Sequence, residues 1–284
     1  MKILVFGGRG QLGNDLLPEL QRAGHEIIAP TRVECDITYA RRLRDEYLPQ
    51  SGAECIINCA AFHKLADCEE QPLLAYNVNS YAPAVMADWC RETGARFVHM
   101  STDYVFDGKA SYPYEENSPC SPLQIYGTTK LAGELCVRVV NKQSIIIRTS
   151  SLFGHAGSSG KGGNFVNSMI AKMAGNSRIE VVDDVVMSPT STTDLVRAIT
   201  QLLTVEDASG IYHATNSRGC SWYEFACEIK RQSGLGGELV LVTLESRGEP
   251  YSRPRYSVLG HHRLQEAGIT MRPWHEALEE YLHG

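Results

Sequence analysis

The stretch that decides the fold is residues 2–13, which read Lys2-Ile3-Leu4-Val5-Phe6-Gly7-Gly8-Arg9-Gly10-Gln11-Leu12-Gly13. An apolar run of strand length leads into a glycine turn, and the turn opens a segment of helical length, Gln11–Ala23. Gly7, Gly10 and Gly13 allow a tight turn and close backbone approach, while the first N–H groups of the helix can bind a pyrophosphate. The stretch therefore predicts a dinucleotide-binding βα unit, with a plain tight turn as the alternative.

Apolar runs of strand length alternate with segments of helical length through the first half of the chain. The predicted strands are Ile3–Phe6, Glu26–Ala29, Cys55–Asn58, Phe97–Met100 and Ser144–Arg148. The predicted helices between them are Gln11–Ala23, Tyr39–Leu48, Leu73–Glu92 and Leu123–Val140. Alternation of this kind predicts right-handed βαβ units, and hence an α/β fold with a doubly wound parallel sheet of Rossmann type.

The pattern changes in the second half, which we expect to form a smaller α/β lobe that binds the substrate. It begins with a loop rich in glycine and serine, Gly154–Gly163, and continues with alternating segments. The predicted segments are a helix over Asn164–Ala174, a strand over Ile179–Val182, a helix over Thr192–Leu203, a strand over Gly210–Ala214, a helix that Ser221 and Glu224 cap, and a final helix that Pro273 opens. We expect residues 1–150 to form the dinucleotide-binding domain together with a returning segment at about 188–215, and the rest of 151–284 to form the lobe.

Composition narrows the class of protein. The 284 residues are 43% hydrophobic, and 27 Lys and Arg oppose 33 Asp and Glu for a net charge of −6, which makes nucleic acid an unexpected partner. No apolar run reaches the length of a membrane span, and the first residues do not form a signal peptide, so a cytoplasmic protein without a membrane partner is predicted. The nine cysteines contain no C-x-x-C pair, and no Cys/His spacing suits zinc, so no metal site is expected.

Tyr126 and Lys130 form the candidate catalytic pair. They stand four residues apart on a predicted helix, and so on one helix face. A neighbouring ammonium favours the phenolate of a tyrosine, which lets the pair move a proton to or from a carbonyl oxygen while a hydride moves at carbon. Thr102 follows the fourth predicted strand, at the edge where open α/β sheets bind ligands, and could hold the reacting oxygen.

The residues after the second predicted strand bear on the choice of cofactor. A site specific for NAD usually has Asp or Glu there for the ribose 2′-hydroxyl, whereas this chain has Pro30-Thr31-Arg32. Arg32 could bind a 2′-phosphate through two of its nitrogens. NADPH is therefore the predicted cofactor, with NADH the alternative and a solvated surface arginine the other interpretation of Arg32.

In these residues the chain resembles an extended short-chain dehydrogenase/reductase, and within that superfamily the dTDP-4-dehydrorhamnose reductase family of sugar-nucleotide 4-ketoreductases. The resemblance covers almost the whole chain, and its most specific motif is Ser101-Thr102-Asp103-Tyr104-Val105-Phe106-Asp107-Gly108. The other matching runs are Gly7–Gly13, Asn58–Ala61, Asn77–Asn79, Pro122–Glu134, Gly163–Val166, Val181–Asp184, Arg253-Pro254 and Ser257–Leu259.

The resemblance implies reduction of a nucleotide-linked 4-keto-6-deoxysugar, with Tyr126 as proton donor and Lys130 and Thr102 assisting. The expected cofactor-binding residues are Gly7, Gly10, Gln11, Leu12, Gly13, Arg32, Asp36, Ile37, Ala60, Ala61, Phe62, His63, Met100, Tyr126 and Lys130. The expected substrate contacts are Thr102, Asp103, Ser151 and Asn164. The family often dimerises, so a homodimer is among the expected assemblies.

Ser151 is the main departure from the family pattern, because a tryptophan usually stands there and offers a large stacking surface. The chemistry is expected to persist while the identity of the sugar is left open. Tyr104 stands where a dehydratase would have a second carboxylate, which disfavours elimination. Two alternatives stay open: a sugar-nucleotide 4-epimerase, and a non-catalytic NADP-binding subunit resembling the regulatory subunit of methionine adenosyltransferase.

Overall fold

The computed structural model describes residues 1–156 and 163–284, and these contain a central parallel sheet of six strands. In chain order the strands are β1 (Lys2–Phe6), β2 (Glu26–Ile28), β3 (Cys55–Asn58), β4 (Arg96–Thr102), β5 (Ile145–Thr149), β6 (Leu152–Phe153), β7 (Arg178–Val182), β8 (Val186–Met187), β9 (Thr190–Ser191), β10 (Gly210–His213), β11 (Cys220–Ser221) and β12 (Glu238–Val242). The central sheet has the order β10-β5-β4-β3-β1-β2. Chain order reverses between β1 and β3, so a ligand crevice opens at the carboxyl ends of those strands.

Helices flank the sheet and build the second lobe. In chain order they are α1 (Gln11–Arg22), α2 (Ala40–Arg42), α3 (Leu48–Ser51), α4 (Leu65–Glu70), α5 (Pro72–Tyr76), α6 (Ala82–Thr93), α7 (Ile125–Val140), α8 (Phe165–Ala174), α9 (Thr192–Leu202), α10 (Trp222–Ser233), α11 (His262–Glu266) and α12 (Trp274–His283). Short 3-10 turns cover Asp103–Val105 and Glu245–Arg247. Across the described ranges, no helix combines the length and the apolar character needed to cross a bilayer.

Both faces of the central sheet are buried, because alternate side chains of each strand point to opposite sides. On one face Val5 and Ile57 pack with apolar residues of α1 and α9. On the other face Leu4 and Ile56 pack with residues of α6 and α7. The doubly wound parallel sheet predicted from the alternation of strands and helices is therefore confirmed.

Two of the predicted helices are interrupted, and continuous α-helices over Tyr39–Leu48 and Leu73–Glu92 are wrong in detail. The structure has π-helical turns at Leu43–Tyr47 and Asn77–Tyr81, each joined to α-helix on both sides. A π turn adds one residue to the turn, which apolar periodicity does not reveal, and such turns often occur at functional sites. The second π turn carries Asn79, whose contacts reach the cleft described below.

The chain returns to the central sheet after residue 150, since β10 pairs in parallel with β5. The second lobe has its own apolar cluster, in which α8, α10 and α12 pack with the parallel pair of β7 and β12. The capping box of α10 is confirmed, because Ser221 and Glu224 exchange both hydrogen bonds. Helix α4 and strand β12 were not predicted. Of the predicted Gly154–Gly163 loop, residues 157–162 lie outside the described residues, and the division at residue 150 stays a prediction.

Candidate active site

A cleft of about 1190 Å³ opens at the carboxyl edge of the central sheet and reaches the second lobe. Every residue that the sequence singled out for catalysis, cofactor or substrate lines this cleft. They are Gly7, Gly10, Gln11, Leu12, Gly13, Arg32, Asp36, Ile37, Ala60, Ala61, Phe62, His63, Met100, Thr102, Asp103, Tyr126, Lys130, Ser151 and Asn164. Residues separated by more than 100 positions in the chain thus meet in one cavity, although their individual roles stay predictions.

The glycine turn forms a cradle that side chains would fill. Gly7 has φ +78°, and a Cβ there would lie 2.7 Å from the backbone nitrogen of Ala60. At Gly13 a Cβ would lie 2.5 Å from the carbonyl oxygen of Gly7. Gln11 begins α1, and its buried Nε2 has no hydrogen-bond partner among the described residues. The cradle, the helix N-terminus and the unpaired amide fit a pyrophosphate group.

Arg32 and Asp36 form an ion pair at the far end of the cleft, with 3.2 Å between Nε and Oδ2. Thr38 also donates to Asp36 Oδ1, from its backbone nitrogen at 3.0 Å and its hydroxyl at 2.8 Å. Burial raises the pKa of Asp36, but these hydrogen bonds outweigh it and the pKa is lowered. The side chain of Arg32 is 75% exposed, and its terminal nitrogens have no partner in the part of the chain that the structure describes. They are available to a phosphate.

The loop after β3 forms one wall of the cleft and is held by two buried asparagines. Asn58 Oδ1 accepts a hydrogen bond from the backbone nitrogen of Ala60 at 3.1 Å. Asn79, from the π turn, accepts from the Phe62 nitrogen at 2.9 Å and donates to the Phe62 oxygen at 2.8 Å. The π turn therefore fixes the backbone of a predicted cofactor wall. Sequence reasoning found the Asn77–Asn79 motif but not this contact.

Tyr126 stands in the first turn of α7, where Gln124 caps the helix by accepting from the Gly127 nitrogen at 2.7 Å. Its phenol hydrogen-bonds with the Thr102 side chain, and its ring meets that of Tyr104 edge-on at 6.0 Å between centroids. Burial raises the pKa of Tyr126, and the hydrogen bond with Thr102 opposes that change only in part. The phenol is therefore protonated at neutral pH and suited to donate a proton.

Lys130 lies one turn after Tyr126 and is 2% exposed. Its Nζ donates to the Met100 carbonyl oxygen at 2.5 Å. Burial lowers its pKa from 10.5 to about 8, and the negative charge of Glu134 opposes that change only in part. A lysine with a pKa near the working range of an enzyme can exist as either ammonium or amine, so its neighbours decide its charge.

Asp103 lines the cleft, yet its carboxylate is bound by protein groups. The Thr102 hydroxyl donates to Oδ1 at 3.0 Å, and the Ser150 hydroxyl donates to Oδ2 at 2.8 Å. Burial raises the pKa of Asp103, partly offset by these hydrogen bonds and one from Ser257. The carboxylate is thus placed to orient the Thr102 hydroxyl, which sequence reasoning did not foresee.

A buried ion pair supports the catalytic strand and helix from behind. Arg148 and Glu134 are 2% and 1% exposed, and their closest nitrogen–oxygen distance is 2.7 Å. Glu134 also accepts from the Ser101 hydroxyl, which neighbours Thr102 on β4. The pair therefore ties α7, β4 and β5 together beneath the cleft.

The second lobe contributes the opposite wall. Ser151 has φ +45°, a left-handed conformation rare for serine. Asn164 caps α8 by accepting from the Asn167 nitrogen at 2.9 Å. Trp222 packs against Phe165 at 4.6 Å between ring centroids, so an indole lines this wall although position 151 is serine.

Three further residues line this end of the cleft and received no role from the sequence. Arg253 donates to the Tyr104 hydroxyl at 3.1 Å, and its guanidinium lies 5.5 Å from the ring centroid of Tyr251. The sequence could have pointed to Tyr104 and Arg253, since both fall in motifs that carry the family resemblance. In the described parts of the chain, no three His, Cys, Asp or Glu side chains are grouped so as to hold a metal ion.

The chain is similar to known proteins of one family over its whole length. The family model described as the RmlD substrate binding domain matches residues 1–284. The spore coat polysaccharide biosynthesis protein SpsK of Bacillus subtilis (strain 168) is 42% identical over 281 residues, which are 99% of this chain and 96% of the relative.

Two solved structures are similar over nearly their full length. A dTDP-4-dehydrorhamnose reductase from Clostridium acetobutylicum has a TM-score of 0.93 and 37% identity, covering 99% of this chain and 98% of that one. The dTDP-4-dehydrorhamnose reductase from Bacillus anthracis, solved in complex with NADP, has a TM-score of 0.92 and 34% identity, covering 99% of both chains. The resemblance stated from the sequence is confirmed: the chain belongs to the RmlD family, the family of the dTDP-4-dehydrorhamnose reductases.

Proposed function

We propose that this chain reduces the 4-keto group of a nucleotide-linked 4-keto-6-deoxysugar, with NADPH as the hydride donor and dTDP-4-dehydrorhamnose as the first substrate to test. Its family makes the chain a reductase that uses a nicotinamide cofactor. The observation that carries the proposal is the meeting of Tyr126, Thr102 and Lys130 beside the glycine cradle in one cleft. The dTDP-4-dehydrorhamnose reductases to which the chain is similar supply the substrate class.

The proton goes from Tyr126 to the carbonyl oxygen of the sugar. When bound, NADPH supplies a hydride to the carbonyl carbon, and the oxygen then needs a proton. The raised pKa of Tyr126 keeps the phenol protonated until this point. Lys130 lies one turn away and, in its ammonium form, stabilises the phenolate that the transfer leaves on Tyr126. This lowers the barrier to proton transfer.

Thr102 positions the oxygen that receives the proton. A carbonyl oxygen offers only lone pairs, while the Thr102 hydroxyl now donates its single proton to Asp103. Binding of substrate therefore turns this O–H from Asp103 towards the sugar. Asp103 keeps its hydrogen bond from Ser150 during that change, so its carboxylate is not left without a donor.

The residues of this chain fit the cofactor in two places. The cradle of Gly7 and Gly13, with the buried Nε2 of Gln11, would hold the pyrophosphate. Arg32 would bind the 2′-phosphate through its terminal nitrogens while its Nε stays paired with Asp36. NADH lacks this 2′-phosphate, so the contact with Arg32 would favour NADPH.

Trp222 and Phe165 would face the nucleotide sugar from the second lobe. Together they present an apolar aromatic surface at the wall where Ser151 stands. We assign to this pair the stacking surface that a tryptophan at position 151 would otherwise offer. Enclosure between the two lobes would also exclude water from the reacting carbonyl.

The test is NADPH oxidation, followed by absorbance, with dTDP-4-dehydrorhamnose and with other nucleotide-linked 4-keto-6-deoxysugars. Tyr126→Phe removes the phenol hydroxyl and is expected to lower turnover by about 10²- to 10⁴-fold while NADPH binding persists. Tyr112→Phe is the matched control, because Tyr112 is 69% exposed and does not line the cleft. Turnover of Tyr126→Phe close to that of the wild type would refute the assignment of the proton donor. A wild-type protein that binds NADPH but oxidises it with none of these sugars would refute the proposed function.

A further inference from the structure

A buried imidazole stands behind Lys130, and neither the proposed reaction nor the sequence motifs give it a role. His99 lies in β4 and is fully buried, with its ring stacked on that of Phe97 at 6.1 Å between centroids. Its Nε2 is 3.5 Å from Lys130 Nζ, and its Nδ1 is 3.2 Å from Asn58 Nδ2. Asn58 is the residue opposite His99 in the register of β3 and β4.

The orientation of the Asn58 amide follows from its other hydrogen bond. Its Oδ1 accepts from the backbone nitrogen of Ala60 at 3.1 Å. A backbone N–H can only donate, so the oxygen must face Ala60 and the NH₂ group must face His99. Since that NH₂ group is itself only a donor, Nδ1 of His99 must be the acceptor and carries no proton.

The single ring proton of His99 is therefore on Nε2. Burial holds the pKa of His99 well below its usual range, and the positive charge of Lys130 lowers it further, so the ring is neutral. A neutral imidazole has one N–H, and with Nδ1 accepting, that N–H points at Lys130 Nζ. Asn58 thus selects the tautomer that presents a donor to the lysine.

We propose that His99, fixed by Asn58 with its proton on Nε2, is a positioning residue that favours the neutral amine of Lys130 over the ammonium. When the N–H group faces an ammonium, two hydrogen-bond donors point at each other, which is unfavourable. When it faces an amine, it donates a hydrogen bond to the nitrogen lone pair. The Met100 carbonyl oxygen accepts from Nζ in either state. The inference rests on the proposed function only in that Lys130 assists Tyr126 there.

The other charged and titratable side chains around Lys130 favour the ammonium or carry no charge, while burial acts in the same direction as His99. Glu134 on α7 favours the ammonium, and burial disfavours it. Cys59, after β3, is a neutral thiol in this pH range because burial raises its pKa to about 12. Glu134 is paired with Arg148, which weakens its attraction for the lysine. Tyr126, on the same helix, is protonated and adds no charge in the resting state. Among these polar neighbours, His99 is the one that acts in the same direction as burial and favours the neutral amine of Lys130.

The first test reads the tautomer directly, by ¹⁵N NMR of the full chain labelled at histidine. His99→Leu identifies the His99 signals by their loss. The expected spectrum has a protonated Nε2 and an unprotonated Nδ1 for His99 between about pH 6 and pH 9, since the ring stays neutral. A proton on Nδ1, or an imidazolium in this range, would overturn the inference.

The second test moves the ring proton. Asn58→Asp places a carboxylate oxygen opposite Nδ1, which then holds the proton, and Nε2 becomes an acceptor for Lys130. The pKa of Lys130, read by ¹³C NMR of labelled lysine and assigned with Lys130→Met, is expected to rise by about one pH unit, a tenfold change in proton affinity. His99→Leu, which removes the N–H without adding charge, is expected to raise it as well. Phe97→Leu is the matched control, because it disturbs the packing of the ring but keeps the N–H, and it should leave the pKa in place.

These spectra are recorded without substrate or cofactor, so they do not depend on turnover. A lysine pKa that is the same in wild type, Asn58→Asp and His99→Leu would overturn the inference even in an active enzyme. The predicted tautomer in a protein that reduces no sugar would instead refute the proposed function and leave the inference standing. In an active enzyme, the alkaline limb of the pH profile of kcat/KM should move upward in Asn58→Asp along with the lysine pKa.

Discussion

Replacing Lys130 by methionine should abolish catalysis and, at the same time, stabilise the fold. The side chain is 2% exposed and, unlike the equally buried Glu134 and Arg148, it forms no ion pair within the described residues. Methionine has similar length and no charge to desolvate. At this position the lysine that catalysis requires is therefore the residue that destabilises the folded state.

The magnitude follows from the pKa. The fall from 10.5 to about 8 on folding corresponds to about 3 kcal/mol of lost stability at pH 7. Methionine removes that cost but leaves the Met100 carbonyl oxygen without its donor, which costs about 1 kcal/mol. Lys130→Met should therefore raise the free energy of unfolding by about 2 kcal/mol at pH 7.

The pH dependence has a definite sign. Below pH 8 the lysine is protonated in both the folded and the unfolded state, so the full cost is present. Between about 8 and 10.5 the folded lysine loses its proton while the unfolded one keeps it, so the wild type gains stability as the pH rises. The advantage of Lys130→Met should shrink across that window.

Urea unfolding of both proteins at a series of pH values measures this difference, with equal m-values as the check that the transitions are comparable. Lys172→Met, at an exposed position on α8, is the control and should change stability little. A Lys130→Met protein less stable than the wild type at pH 7 would refute the reasoning. So would an advantage that does not shrink as the pH rises above 8.

Three further substitutions test the cleft and its support. Gly13→Ala puts a Cβ 2.5 Å from the Gly7 oxygen and should weaken NADPH binding by about tenfold, which is about 1.4 kcal/mol. Unchanged affinity in an equilibrium titration would contradict the proposal that the glycine turn binds the pyrophosphate. Glu134→Gln leaves the buried charge of Arg148 without a carboxylate and should lower the free energy of unfolding by about 3 kcal/mol, which an unaltered urea midpoint would disprove. Arg32→Ala should weaken NADPH by about tenfold and leave NADH unaffected, whereas an equal loss for both cofactors would place the 2′-phosphate elsewhere.

Local patterns in the sequence were enough to predict the parts of the site that depend on neighbours in the chain. The glycine turn, the spacing of Tyr126 and Lys130, and the capping box at Ser221 each occupy fewer than ten residues. Backbone sterics and helix geometry act over that range, so residue type and spacing determine the conformation. The parallel sheet followed from the alternation of strand and helix lengths, which is also local.

Contacts between distant segments were decided only by the tertiary structure. Apolar periodicity could not show that Asn79, in a π turn, would hold the backbone of Phe62. Nor could the motif around Thr102 show that Ser150 would occupy the Asp103 carboxylate. In both cases, buried polar groups took the partners that packing brought within reach.

The protonation of the catalytic groups shows the same division. The sequence determined that Tyr126 and Lys130 share a helix face, because four residues make one turn. It could not determine that burial would raise the pKa of Tyr126 and lower that of Lys130. Nor could it show that Asn58 and His99 would stand behind the lysine. Desolvation depends on everything that surrounds a group, and strands β3 and β4 come together with α7 only when the chain has folded.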